Sequence, residues 1–553
     1  MADYKSTKSY SMYKKNLLLL AAMVVLLSVQ AVAQQISVKW GPQLKDKFGT
    51  TTYQIVGDDA EGFFTMRRNL FGDAMYLERY DNSNNLISSQ KIEITPNTKS
   101  ERITYENMFY LDGNLVLFAN HTDKKANRSA VIAYQLTPQG QLTGKPVEVD
   151  VMEGAGSIRG GFSLVLSDDS SKVLVVHRSQ KKRKQQEGFS MSLIDKNLQT
   201  VWEKDVLLDK LNKDVTLSNY MVDNKGNAYV LMTVAKEKGE KKTGEQTFNY
   251  VVMAFYADQQ GVKEYKIDMP GKFITNTKFN VDKSGKLIVA GMYANNNKRP
   301  FFSKGSTDFY TAGSNNGWFS FDYYSPLVKA SGVFYMRINP NTQQIEKTSM
   351  KEFEDKFVLG FGDGKNKKLT PEKKGISHLI LKNMIIREDG SALLVAEESY
   401  YVVKRSSTTN ASGFSTNSTT YVYYRGPIVA VNVTPAGDID WVTAINKKQR
   451  YTTRDFLSYS VAVNKDQVYF MYNDHVKNLK INEYKKQKWM KKPQSSATVL
   501  VNLTNKGAYN KTFMFPAKER RTIFYPHFYM QTNSKIIMHS IRGRSYRFGS
   551  ASM

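Results

Sequence analysis

The sequence predicts an all-β fold, a β-propeller of eight four-stranded blades, on three observations. Its β-branched and aromatic residues fall in short alternating runs bounded by Asp, Asn and Gly, and long stretches of 3.6-residue period are missing. One turn recurs eight times along the chain. The last unit lacks a strand that a segment near the N-terminus is suited to supply.

The first 33 residues stand apart from this pattern. Lys5, Lys8, Lys14 and Lys15 precede the apolar run Leu17 to Leu27, and Ala31-Val32-Ala33 follows it. A charged start, a short apolar stretch and a small-residue site are the parts of a secretory signal peptide cleaved near Ala33. The apolar run is short of the roughly 20 residues that a membrane-spanning helix needs. Residues 34–553 are therefore expected as a single exported domain, periplasmic or cell-surface associated and soluble after cleavage. The chain contains no cysteine, so disulfides and a lipid-modified N-terminal cysteine are excluded. Stability without disulfides outside the cytoplasm fits a bacterial envelope.

The recurring turn is an Asp/Asn/Gly cluster between an alternating strand and a more apolar one. It lies at Asp58 to Gly62, Asp112-Gly113, Asp168 to Ser171, Asp223 to Gly226, Asp282 to Gly285, Glu388 to Gly390, Asn464 to Asp466 and Asn533-Ser534. The apolar runs after it include FFTMRR, NLVLFAN, NAYVLMTV, KLIVAGMY and SALLVAEE. A third strand follows, as in IVAVNVTPAGD, and then a fourth, as in TVWEKDV and IDWVTAI. Four antiparallel strands repeated head to tail make propeller blades.

The eighth unit ends after its third strand, at Ser545 to Gly549. The segment Ile36 to Trp40 has the Trp-bearing look of the outer strands around Trp202 and Trp441. Residues 36–44 are thus expected to close the last blade, protecting edges that would otherwise template aggregation. The mature length of 520 residues gives 65 per blade, above a bare blade of about 40 to 50 because of insertions. Seven blades is the alternative, since the interval from the fifth to the sixth turn is long.

The long connections between second and third strands fall in the second half, at 295–329, 400–425 and 474–493, and belong to one face of the ring. The first is rich in aromatics, with Tyr310, Trp318, Tyr323 and Tyr324 as candidate binding residues. The second offers Tyr400, Tyr401, Tyr421 and Tyr423 around a Ser/Thr/Asn stretch, a mixture that suits binding loops. The third holds seven lysines, with Tyr484 and Trp489 interleaved, and suits stacking on sugar rings near anionic groups. The competing reading is that these aromatics only pack on each other. The linker between the fifth and sixth units, 351–374, carries Phe353, Phe357 and Phe361 and suits a short amphipathic helix.

The chain has 78 basic and 51 acidic residues, a net charge of +27. Removing residues 1–33 takes away four lysines and one aspartate, which leaves 74 against 50, or +24. This excess attracts polyanions. Export and the absence of a nucleic-acid motif argue against nucleic acid. The six histidines stand far apart with no metal-ligand spacing, and no nucleophile elbow or phosphate loop is present. Neither metal nor cofactor is expected. Glu397 and Glu398 are the carboxylates best placed for chemistry, although neighbours on a strand point to opposite faces and at most one can serve a given site.

Leu394 to Tyr401 (LVAEESYY), Asp440 to Gln449 (DWVTAINKKQ), Tyr472 to Leu479 (YNDHVKNL) and Arg544 to Gly549 (RSYRFG) carry a resemblance. Over 376–548 the chain resembles a family of uncharacterised secreted β-propeller-like proteins of Bacteroidota. The resemblance implies an exported propeller and brings no catalytic residue. The expected role is non-enzymatic: an interaction or ligand-binding propeller of the cell envelope, engaging protein or an acidic glycan through its insertion-bearing face. The alternative is a glycoside hydrolase or lyase working in the central channel.

Overall fold

The computed structural model describes residues 37–46, 49–69, 74–96, 98–154, 161–178, 184–240, 246–295, 329–361, 375–409, 415–464, 467–481, 483–520, 522–532 and 535–552. Among them the strands form eight antiparallel sheets, each built on four strands that follow in chain order in seven and draw the outer strand from the N-terminal segment in the eighth; the sixth and eighth sheets each carry a fifth, short strand. First strands of adjacent blades lie side by side, that of blade 8 (Ile523–Gln531) beside that of blade 1 (Thr50–Asp59) among them. The blades thus stand around a common axis and close into an eight-bladed β-propeller.

Turn chemistry explains the repeat. In blade 5 the Asp282 carboxylate accepts the backbone N–H groups of Ser284 (2.9 Å) and Lys286 (3.0 Å), while Gly285 takes a φ of 86° that side chains disfavour. Asp223 does the same for Lys225 and Asn227, and Asp59 for Glu61 and Gly62. The carboxylate supplies partners for turn donors that would otherwise point into solvent, so the motif fixes where these hairpins reverse.

Strand composition follows position in the blade. All eight residues of the second strand of blade 5, Leu287–Ala294, are buried. Alternation divides their side chains between two seams: Leu287, Val289 and Tyr293 pack toward blade 4 and Ile288, Ala290 and Met292 toward blade 6. The fourth strand, Ile345–Glu352, alternates exposed and half-buried residues, because only one of its faces meets a neighbour. Eight hydrophobic clusters among the described residues fill the eight seams, one each.

The ring closes as the sequence suggests. Val38, Lys39 and Trp40 pair with Ala551, Ser550 and Gly549, and Leu44 and Lys45 pair with Tyr546 and Ser545. The third strand of blade 8 runs Ser545–Ser552, and its pairing with the N-terminal segment reaches Ala551, two residues beyond Gly549. Trp40 sets its ring edge-on to Phe515 of blade 7 at 5.1 Å and beneath the Arg547 guanidinium at 4.6 Å. A Cβ on Gly549 would meet the Trp40 ring at 2.6 Å, so the tryptophan requires that glycine. Blade 1 clamps the same segment: Asn84 donates to Lys39 O at 3.0 Å, and Arg67 pairs with Asp46. Arg67 also meets Glu78 at 3.3 Å and lies 4.3 Å from the ring of Tyr546.

Trp40→Ala should lower stability by about 2 to 3 kcal/mol, below the range for fully buried tryptophans because Trp40 is only half-buried. Val402→Ala, on an exposed stretch, should cost under about 0.5 kcal/mol. Urea unfolding of both variants checks this, and equal losses would contradict the clasp.

Candidate functional site

The insertion-bearing face is described mainly over blades 6 and 7. Residues 400–409 and 415–425 continue the blade as a two-stranded arm, with the second strand at Ala392–Thr409 and the third at Ser415–Val433. Alternating Tyr, Val and Thr residues favour extended pairing, which is why a segment expected as a loop forms strands. Tyr400 pairs with Tyr424, Tyr401 with Tyr423 and Val403 with Tyr421. Opposed residues share a face, so Tyr401, Val403, Tyr421 and Tyr423 lie on one side of the arm and Tyr400, Val402, Val422 and Tyr424 on the other.

A bulge at the base of the arm places the two carboxylates. Glu397 pairs with Ile428 and Ser399 with Arg425, which leaves Gly426 and Pro427 opposite Glu398. Pro427 has no N–H for the ladder. A Cβ on Gly426 would lie 2.0 Å from Glu398 Oε2, so the bulge is cut to fit that carboxylate.

Glu397 is fully buried. Its Oε1 accepts from Lys447 Nζ at 2.6 Å and its Oε2 from Ser458 Oγ at 2.8 Å, with Arg425 Nε at 3.7 Å. Burial pushes this carboxyl up, but the charges of Lys447, Arg425 and Lys382 outweigh it and hold it below its ordinary value. Gln449 extends the network by accepting from Lys447 Nζ at 3.1 Å and donating to Asn473 O at 2.7 Å. Asn473 in turn donates to Phe524 O at 2.7 Å. Glu397 thus anchors a buried polar tie across blades 6, 7 and 8, and is closed to any substrate.

Glu398 sits in different surroundings. Burial, with the neighbouring negative charge of Glu397, pushes its carboxyl up to about 7, against the pull of Tyr484, Lys447 and Lys448. Tyr484 donates its hydroxyl to Glu398 Oε2 at 3.4 Å. Backbone pairing of Met490 with Lys448 (2.8 Å) and of Arg450 with Met490 (2.9 Å) docks the 476–495 segment against the blade 6–7 connection. The Lys448 ammonium then lies 4.2 Å from the Tyr484 ring centre and 5.8 Å from that of Trp489. Trp489 stands edge-on to Tyr424 at 5.4 Å, and Tyr424 stacks on Tyr400 at 4.8 Å.

The structure therefore joins Tyr400 and Trp489 in one aromatic series, through Tyr424. It places Tyr401, Tyr421 and Tyr423 on the opposite face of the arm, with ring separations of 5.8 and 5.9 Å about Tyr401. There Arg454 lies 4.7 Å from the Tyr423 ring centre, and Tyr421 is 47% exposed. Tyr310, Trp318, Tyr323 and Tyr324 lie outside the described residues. The linker after blade 5 carries the helix Asp355–Phe361, whose Phe361 reaches Tyr484 at 6.3 Å. All seven lysines of 474–493, the segment that carries Tyr484 and Trp489, are exposed. Sequence reasoning missed Lys448, Tyr484 as the partner of Glu398, and Arg454. The Gly426-Pro427 pair inside a strand was the one signal of a special backbone there. Among the described residues no three of His, Cys, Asp and Glu gather as a metal site would need, and no helix is long and apolar enough to cross a membrane.

No family model matches the chain, and no curated protein matches it in sequence. Among solved structures it is similar to the β-propeller domain of the trilobed protease from Pyrococcus furiosus, with 8% identity, 87% of this chain and 97% of that one covered, and a TM-score of 0.32. It is also similar to a polysaccharide lyase, an ulvan lyase, with 8% identity, coverage of 79% and 90%, and a TM-score of 0.34. A puromycin hydrolase matches with 8% identity over 72% of this chain and a TM-score of 0.32, and the match spans about half of that enzyme, 53%. Likenesses at these scores say nothing about activity; the propeller is read from blade topology.

Glu398 keeps its proton up to about 7 in the folded protein and loses it near 4.5 when unfolded. Its contribution is therefore fully present below about 4.5 and is lost as pH rises through 7. Half-buried His527 and buried His539, held down at about 4 and about 3 by desolvation, act oppositely at acid pH, so the comparison must be made against a variant. Glu398→Gln should gain stability relative to the parent as pH rises from 4.5 to 8, read by urea unfolding at each pH. A gap that stays constant would contradict the buried, protonated carboxyl.

Proposed function

We propose that this is an exported envelope propeller that binds an acidic glycan, without chemistry, on the face built by blades 6 and 7. One observation carries the reading: Lys448 lies over Tyr484 and near Trp489 at the edge of an aromatic series, and the segment that carries those two rings holds seven exposed lysines. Aromatic faces pack against the C–H faces of sugar rings, and ammonium groups pair with their carboxylates or sulfates. The mature chain's net charge of +24, 74 basic against 50 acidic residues, draws such polymers to the protein. Hydrolysis or elimination by a carboxylate pair gains no support at Glu397, whose two oxygens are held by Lys447 and Ser458.

Export belongs to the same proposal and rests on the Lys5 to Ala33 segment. Affinity electrophoresis of the mature chain through gels containing polygalacturonate, dextran sulfate or neutral dextran tests the binding. Both acidic polymers should retard the protein and neutral dextran should not. Lys448→Ala and Trp489→Ala should each weaken retardation about tenfold, about 1.4 kcal/mol, and added salt should weaken it further. Equal retardation of parent and variants, retardation by neutral dextran alone, or cleavage of the polymer would overturn the reading.

A further inference from the structure

A recess lies away from this face of blades 6 and 7, at the seam of blades 1 and 2. It measures about 330 Å³, within the lower range of small-molecule sites. Its apolar wall is made by Met75, Ile92, Ile94 and Ile103 with the ring of Tyr105. Met75, Ile92 and Tyr105 are buried members of the seam cluster, and Ile94 and Ile103 pack on it half-buried. The recess is thus an opening in the hydrophobic filling of a seam, at the strand ends where the second strand of blade 1 (Gly62–Asn69) finishes and the first strand of blade 2 (Glu101–Leu111) begins.

Charge gives the recess its selectivity. Arg68 stands in its wall, half-buried, with its guanidinium 5.8 Å from the ring centre of Tyr53. The other charges of the lining, Lys91 and Glu93, are exposed and pair with each other at 2.7 Å, so Arg68 dominates the interior. Glu106 feels the same guanidinium, but burial holds its carboxyl up at about 7, so below that pH it competes weakly.

We propose that this recess is a binding site for a small amphiphilic anion, a monocarboxylate whose alkyl chain fills the seam and whose carboxylate meets Arg68. The site is independent of the glycan reading. An apolar wall without a cation would favour neutral chains, and a guanidinium without the wall would favour inorganic anions. The two together select a carboxylate bearing a tail.

Isothermal titration of the full mature chain at pH 6 with sodium octanoate, and separately with 1-octanol, tests the site. Octanoate should bind saturably, about tenfold more tightly than octanol, which shares the tail and lacks the charge. Arg68→Gln should bring octanoate down to the affinity of octanol, and Ile103→Trp, which fills the recess, should abolish both. Thermal unfolding of each variant shows whether the seam remains packed, and Arg68→Lys, which keeps the charge, should retain part of the preference. Absence of saturable octanoate binding by the parent, equal affinity for acid and alcohol, or octanoate binding unchanged in Ile103→Trp would overturn the proposal.

Discussion

A sheet whose middle strands are apolar on both faces cannot stop at one partner. Leu287–Ala294 sends alternate side chains into two different seams, and Ala392, Leu394 and Ala396 face blade 5 while Leu393 and Val395 face blade 7. Each blade therefore needs a neighbour on either side, and a row of such blades leaves two bare apolar faces unless it closes. Closure removes them, and the cluster of Phe63, Tyr80, Ile537, Tyr546 and Phe548 joins the last blade to the first. The N-terminal strand completes that last blade, and Trp40 and Asp46 fasten it to blades 7 and 1.

The functional face inherits its rigidity from these seams. Glu397, Lys447 and Gln449 form a buried polar tie between blades, costly to desolvate yet fully partnered by hydrogen bonds. By fixing the 446–459 connection, the tie fixes Lys448 one residue away. Lys448 in turn holds the 476–495 segment through Met490, and so sets the spacing of Tyr484 and Trp489. The aromatic series is then presented by backbone pairing, and ligand ordering costs less when the binding groups are already in place.

Much of this architecture was legible in the sequence because it rests on local chemistry. The turn at Asp282 to Gly285 is specified by one carboxylate and one glycine three positions apart, and the same pair marks the hairpin at Asp223 to Gly226. Trp40 betrayed its role through its likeness to Trp202 and Trp441. The insertion of blade 6 was harder. Its Tyr and Thr residues signal strand, but the Ser/Thr/Asn stretch between them signals loop, and only pairing across the arm decides. The partners of Glu397 and Glu398 were not legible at all. Lys447 lies 50 residues from Glu397 and Tyr484 lies 86 from Glu398, distances bridged only by the packing of adjacent blades. The seam recess was equally hidden, since its walls come from four strands and two connections of two blades.

Ring closure is tested most directly by a cross-link at its one terminal pairing. Lys39 and Ser550 are directly opposed, a geometry that suits a disulfide in antiparallel strands, and the chain contains no other cysteine. Lys39→Cys/Ser550→Cys, oxidised while folded, should form one intramolecular disulfide in nearly all molecules and raise the thermal midpoint. Two thiols that stay free in the folded protein, or that join only between molecules, would contradict a propeller closed by its N-terminal strand.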